Sequence, residues 1–220
     1  MSIDSPDSTR SGSLTIYCFR DTLAGENCYV LVPEGASDVC VFDPGFQTDA
    51  VYAWLDDLHL RTEIVALTHA HPDHCFGLPL LRKKYDSRIA YHSADKPLLA
   101  VDWSSRGFPW DAAASYKATE DLATSTSLTW TGGTVDVHPT PGHTPGSVCF
   151  AWNGLVFTGD TLLRRGVGRT DLPLGSWVEL ERSVRTVLYT LPGEYAVYPG
   201  HGDRTTIAEE KEENPFLQQS

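Results

Sequence analysis

Hydrophobic and polar positions alternate in short runs along most of the chain. LTIYCF (14–19), NCYVLV (27–32) and VCVFD (39–43) are rich in β-branched and aromatic residues, and the turn formers Ala24-Gly25 and Pro33-Glu34-Gly35 separate them. This pattern predicts an antiparallel meander. The period then changes: Val51, Trp54, Leu55 and Leu58 recur at helical spacing within 48–58. EIVALT (63–68) predicts a buried strand, FGLPLLRKKY (76–85) a helix with Pro79 in its first turn, and RIAYH (88–92) another strand. A second β series follows in TSLTW, GTVDVH, SVCFAW and GLVFTG, with Gly132-Gly133 and Asn153-Gly154 supplying hairpin turns. Ser176 and Glu179 form a capping box that opens a helix over 177–191, with Leu180, Val184, Val187, Leu188 and Leu191 as its buried stripe. YAVYPG is the last strand, and an acidic helix over 207–213 leads into NPFL (214–217).

Strands with helices, followed by strands with helices again, predict an α+β fold of two packed β-sheets with helices outside. Residues 14–220 read as a single domain and 1–13 as a disordered leader. The least periodic stretch is 93–124, where Trp103, Phe108 and Trp110 stand among Ser, Gly, Pro and Asp. It reads either as a functional loop or as a small helix that packs its aromatics on the core.

Composition narrows the function. A net charge of −12 argues against a nucleic-acid partner, which calls for a basic patch, and against an anionic membrane surface. No apolar run approaches membrane-spanning length, and MSIDSPDSTRSGS lacks the basic and apolar regions of a secretory signal, so a cytoplasmic location is expected. The five cysteines are odd in number and widely spaced, with no CxxC pair, which predicts no disulfide framework. Cys18, Cys40 and Cys149 read as small buried hydrophobes. Cys75 follows His74 directly and is either buried or a lining residue.

The candidate chemistry lies in Thr68-His69-Ala70-His71-Pro72-Asp73-His74. Metal ligation is the main physical reason to gather imidazoles and carboxylates so closely. His69 and His71 are two apart and share a side of an extended segment, so they suit one metal. Asp73 and His74 follow Pro72, where the chain turns, and suit a second. Further ligands are expected at strand ends, where His143 (TPGHTPGS), Asp160 (FTGDT) and His201 (YPGHG) each follow a glycine. His59, His92 and His138 have no such setting and read as structural.

These motifs resemble those of the metallo-β-lactamase fold. His69-x-His71-x-Asp73-His74 with Gly77 matches HxHxDHxxG, and Asp43-Pro44-Gly45, His143, Asp160 and His201 follow in the family's order. More narrowly, ENCYVL, TPGHTPGS, TGDTLLRRGVGRTDLPLGS, YPGHGDRTTI and NPFL resemble the short glyoxalase II-like hydrolases. The resemblance spans roughly Leu14 to Leu217. It implies a four-layer αββα sandwich with the site at one edge of the sheets. It implies that His69, His71 and His143 bind one divalent metal and that Asp73, His74 and His201 bind another. Asp160 would bridge the two, and Asp43 would orient ligands from behind. Zinc is the expected metal, with iron and manganese accepting the same donors.

Two metals sharing a water lower its pKa to give hydroxide near neutral pH and polarise a carbonyl, with Asp73 as a catalytic candidate for orienting that water or taking its proton. The leading expectation is a thioester hydrolase for a substrate like S-lactoylglutathione. Full-length glyoxalase II enzymes carry a C-terminal helical domain that holds glutathione, and too few residues follow His201 for one. Recognition of a thiol-derived substrate is therefore expected from the 103–110 or 166–170 loop, with Arg169 or Arg164 as a cationic contact and Asp171 as a competing partner for Arg169. GVGRTD (166–171) also resembles persulfide dioxygenases, which would hold one iron through His69, His143 and Asp160. Lactone or ester hydrolysis and a non-catalytic metal-binding role complete the alternatives.

Overall fold

The computed structural model describes residues 6–101, 104 and 118–218. Two mixed sheets form. The first has seven strands in sequence order: β1 (Asp7–Ser11), β2 (Leu14–Arg20), β3 (Asn27–Pro33), β4 (Asp38–Phe42), β5 (Arg61–Ala66), β6 (Arg88–Tyr91) and β7 (Glu120–Asp121). β1 to β4 pair antiparallel, as the meander pattern predicts, whereas β4 to β7 run parallel and use α1 (Thr48–Asp57) and α3 (Leu78–Tyr85) as crossovers. The second sheet has the order β13 (Thr205–Thr206), β12 (Ala196–Pro199), β11 (Leu155–Gly159), β10 (Val148–Trp152), β9 (Gly133–Pro139) and β8 (Ser127–Trp130). The β10–β11 hairpin closes on Asn153 and Gly154, both at positive φ, the geometry that Asn-Gly favours.

Side-chain parity sorts the apolar residues into three cores, because successive strand residues face opposite ways. Tyr29, Leu31, Cys40, Phe42, Ile64 and Ala66 from the first sheet meet Val148, Phe150, Leu155, Phe157 and Tyr198 from the second. At the centre Phe42 stacks on Phe150 with ring centroids 4.7 Å apart. Burying such a ring is worth ~1.5–3 kcal/mol. The opposite parity, Cys28, Val30, Val39, Val41 and Val65, packs on Val51 and Leu55 of α1 and on Leu78 and Leu81 of α3. On the outer face of the second sheet, Cys149, Ala151, Val156 and Val197 pack on Val184 of α5 (Trp177–Thr186), Ile207 of α6 (Ile207–Glu213) and Leu217. Helix, sheet, sheet and helix are therefore stacked in four layers.

Several boundaries differ from the sequence pattern. The leader expected to be disordered over 1–13 forms, from Asp7, the edge strand β1, paired to β2 through a turn at Gly12 with φ +58. Helix 76–85 begins at Leu78, so Pro79 occupies its second position. The Ser176 hydroxyl caps α5 by accepting from Glu179 N, but the helix ends at Thr186. Val187 caps it, its N–H still on Ser183 O, and Leu188 then packs from a short 3₁₀ turn. Within 93–124, Ser93–Asp95 is a 3₁₀ turn and α4 spans Lys96–Leu99. The Trp103, Phe108 and Trp110 expectation lies outside the described residues. Cys28, Cys40, Cys75 and Cys149 are buried and Cys18 is half-buried, with no disulfide among the described residues.

Candidate metal centre

Every candidate ligand lies at a strand end on the same edge of the sandwich. β5 leads into Thr68, and His69 and His71 follow in extended chain. His71 caps α2 (Pro72–Cys75), whose first position is Pro72, so Asp73 and His74 project from a helical turn. His143 sits in the loop between β9 and β10, Asp160 just past β11 and His201 just past β12. These seven residues converge in three overlapping groups: His69, His71 and His143; His69, His74 and Asp160; and Asp73, His74 and His201. His71 Nδ1 is 2.8 Å and His69 Nε2 3.2 Å from His143 Nε2. His74 Nε2 and His201 Nε2 are 3.3 Å apart, and Asp73 Oδ2 is 3.4 Å from His201 Nε2. Asp160 stands between the groups, with Oδ1 at 3.6 Å from His74 and Oδ2 at 3.5 Å from His143 and 3.6 Å from His201.

The partners behind the imidazoles decide what they can bind. His143 Nδ1 faces the Arg169 carbonyl at 2.8 Å, which only accepts, so this nitrogen carries the proton and Nε2 presents a lone pair. His74 Nδ1 donates in the same way to Asp43 Oδ2 at 3.0 Å. Thr68 Oγ1 uses its proton on Asp43 Oδ2 at 2.6 Å, so it accepts from His69 Nδ1 at 3.1 Å. Three Nε2 atoms therefore face inward, the atoms through which these imidazoles would hold a cation once free of protons. Two nitrogens on a tetrahedral zinc stand about 3.3 Å apart, given bonds of ~2.0–2.1 Å. The His69–His143 spacing of 3.2 Å and the His74–His201 spacing of 3.3 Å match, whereas His71 lies closer to His143, and the buried Asp160 Oδ1 takes no hydrogen bond. The donors fit a pair of divalent ions.

The electrostatics agree. Burial, with the charges of neighbouring imidazoles, pulls His69 well below its ordinary pKa and His71 down to about 3. Burial also opposes the charging of His74 and His201, but Asp160, joined by Asp43 and Asp73 at His74 and by Asp73 at His201, outweighs it, and both are raised. Asp73 and Asp160 are held below the carboxylate range. Burial acts against this, but the His201 hydrogen bond and the His74 charge prevail at Asp73, and the charges of His201, His74 and His143 at Asp160. The negative charge that retains protons on two imidazoles would equally attract a divalent cation.

Asp43, expected to orient ligands, does so at two of them. It accepts from Thr68 N at 2.7 Å and holds His74 directly and His69 through Thr68. The glycine before His201 also has a steric cause: a Cβ on Gly200 would lie 2.3 Å from Asp160 Oδ1 and 2.7 Å from His74 Cε1. Arg169 sends its guanidinium to Asp171 through two 2.7 Å bonds, while its carbonyl serves His143. Arg164 faces Asp203 at 3.5 Å. His92 caps the turn at Ser93 by accepting from Ala94 N.

Two supporting residues escaped the sequence reading. Asp95, 1% exposed, accepts from Ala70 N at 3.0 Å, Thr144 Oγ1 at 2.8 Å and Gly146 N at 2.7 Å, which ties the His69–His71 segment to the His143 loop. Glu26 is fully buried, pairs its backbone with His201 and accepts from Gln47 Nε2 at 2.6 Å. Burial raises its pKa well above the ordinary value. Neither belongs to a ligand-like spacing, so only contact across the two sheets reveals them. Above the cluster opens a cavity of about 580 Å³, walled by Leu163, Val167 and Leu172 opposite His71, Asp73 and Asp160.

Comparison with known proteins agrees with this arrangement. The family model of the metallo-beta-lactamase superfamily matches residues 21–201. A probable metallo-hydrolase of Streptococcus pyogenes is 35% identical, over 93% of this chain and 90% of its own. The hydroxyacylglutathione hydrolase GloC of Haemophilus influenzae is 32% identical, over 87% of this chain and 92% of its own. The crystal structure of the BLEG-1 B3 metallo-beta-lactamase superposes with a TM-score of 0.85 at 32% identity, covering 93% of this chain and all of the other. The four-layer sandwich, the converging donors and these matches together show that the chain belongs to the metallo-beta-lactamase superfamily and is a metallo-hydrolase of it.

Proposed function

We propose that the protein hydrolyses thioesters with two divalent metal ions, zinc foremost. The observation that carries this reading is the Asp160 carboxylate, whose two oxygens stand between the His143 side and the His74–His201 side of the cluster. His69, His71 and His143 would hold one ion and Asp73, His74 and His201 the other, with Asp160 shared. When bound, such a pair supplies an acidified water and Lewis-acid polarisation of a carbonyl.

The protein's own residues do the rest. Asp43, Thr68 and the Arg169 carbonyl engage the Nδ1 atoms of His74, His69 and His143 and so aim their Nε2 atoms inward. Asp73, ionised and facing the cavity, is placed to orient a water or take its proton. Leu163, Val167 and Leu172 offer an apolar wall to an acyl group. The likeness to GloC supports a thioester substrate. Arg169 is the arginine on the cavity among the described residues, and with its guanidinium on Asp171 the thiol carrier need not be glutathione.

The test is metal content together with turnover of S-lactoylglutathione and simple thioesters, run beside a lactone, a cephalosporin and persulfide-dependent oxygen uptake. Two equivalents of metal with thioester turnover support the proposal. One equivalent of iron with oxygen uptake would replace it with the dioxygenase reading. Cephalosporin turnover alone would favour an activity like that of BLEG-1.

A further inference from the structure

NPFL, which the sequence singles out, lies away from the metal cluster. Asn214 follows α6 and is fully buried, and Leu217 joins the outer core. Beside Asn214 lies Glu210, a carboxylate only 1% exposed in an otherwise apolar layer. Such burial is unfavourable unless every oxygen is used, and here both are. Glu210 accepts from Arg165 N at 2.9 and 3.1 Å, from Thr205 Oγ1 at 2.7 Å and from Asn214 Nδ2 at 2.8 Å. Asn214 donates its other amide proton to the Gly166 carbonyl at 3.0 Å. An apolar residue would anchor α6 with less desolvation. What the pair adds is a directional grip on consecutive backbone groups of one turn.

That turn, 163–166, closes on itself through Leu163 N to Gly166 O at 2.9 Å and Gly166 N to Leu163 O at 3.1 Å. Arg165 at its tip has φ +55, a conformation that a residue with a Cβ adopts only under constraint. Beyond it the chain enters the site. Gly168 N donates to Asp160 O at 2.7 Å, and Arg169 O accepts from His143 Nδ1 at 2.8 Å. Leu163 and Val167 form part of the cavity wall. One short segment is thus gripped by the C-terminal helix at one end and shapes the site at the other.

We propose that Glu210 and Asn214 are positioning residues that act through the 163–169 segment to set the depth of the apolar wall, and with it the acyl length the site accepts. This deepens the thioester reading and rests on it for its substrate.

The experiment compares metal-loaded wild type, Asn214→Ala, Glu210→Gln and, as a control on the exposed Arg165 ion pair, Glu213→Gln. It measures metal equivalents, amide hydrogen exchange along the chain, and kcat and KM for acetyl, butyryl and hexanoyl thioesters of one thiol. In Asn214→Ala and Glu210→Gln, exchange in 163–169 should rise about tenfold while β10 and β11 stay protected. Metal content should hold, and KM should rise more steeply as the acyl chain lengthens. Glu213→Gln should match wild type. Unchanged exchange in 163–169, or an equal loss of kcat/KM across the three acyl groups, overturns the proposal. If wild type hydrolyses no thioester, the substrate reading fails, and exchange confined to 163–169 with retained metal still supports the anchor.

Discussion

Asp43 Oδ2 lies 3.0 Å from His74 Nδ1 and receives the Thr68 hydroxyl proton at 2.6 Å, so one buried carboxylate orients two imidazoles of the cluster. Removing it frees both. Asp43→Ala should weaken metal binding by about 10–100-fold. Competition with a chromophoric chelator measures this, and unchanged affinity would remove Asp43 from the role.

The cluster divides into two sides, and substitutions should separate them. His74→Ala should leave about one equivalent of metal on the His69, His71 and His143 side and lower thioester turnover by at least ~100-fold, as expected when a group stabilising the transition state is lost. Asp160→Ala, which lies between both sides, should deplete both. Elemental analysis after extensive dialysis reads the difference. Retention of two equivalents in either variant would contradict the assignment.

Glycines 200 and 202 flank His201 and should respond differently to alanine. A Cβ on Gly200 meets Asp160 Oδ1 at 2.3 Å and His74 Cε1 at 2.7 Å, so Gly200→Ala should lose metal while retaining most of its fold. Gly202 has φ +77 and open space around it, so Gly202→Ala should cost only ~1–2 kcal/mol of strain and keep its metal. Thermal melts and metal content on both variants check the contrast.

Stability of the metal-free protein should fall in both pH directions. His69 and His71 are lowered, so unfolding exposes groups that take up protons below about pH 6.5, and stability is lost as pH falls from there. Asp73 and Asp160, also lowered, add to that loss below the ordinary carboxylate range near pH 4. His74 and His201 are raised. Their contribution is complete below about pH 6.5 and fades as pH rises through their folded values. Melts of chelator-treated protein across pH 4 to 9 should therefore peak near neutrality. A flat profile would show that these protons are not linked to folding.

The stacked pair Phe42 and Phe150 joins the two sheets. Phe150→Ala should cost about 3–5 kcal/mol. Chemical denaturation would show it, and a loss below about 1 kcal/mol would mean that the sheets repack around the gap.

Much of the centre was legible because its chemistry is local. Three imidazoles and a carboxylate within 69–74 need only strand and turn geometry to suggest two metals. The strand parity of Tyr29, Phe42, Phe150 and Phe157 likewise follows from a period of two, and so does the sorting of residues into faces. Asn153-Gly154 announced its own hairpin because both positions require positive φ.

What the sequence by itself determined, then, was the kind of strand, the facing of its residues and the identity of the donors, since backbone sterics and side-chain chemistry act over a few positions. Only the tertiary structure decided which donors meet, that Asp95 joins two ligand loops, that Glu26 lies buried beside His201, and that Glu210 and Asn214 hold the wall of a cavity at the other end of a turn. Those relationships depend on the packing of two sheets and on the need of buried polar groups for partners far along the chain. The edge strand β1 belongs with them: Asp7–Ser11 is polar enough to read as disordered and becomes a strand because β2 offers it a row of backbone groups.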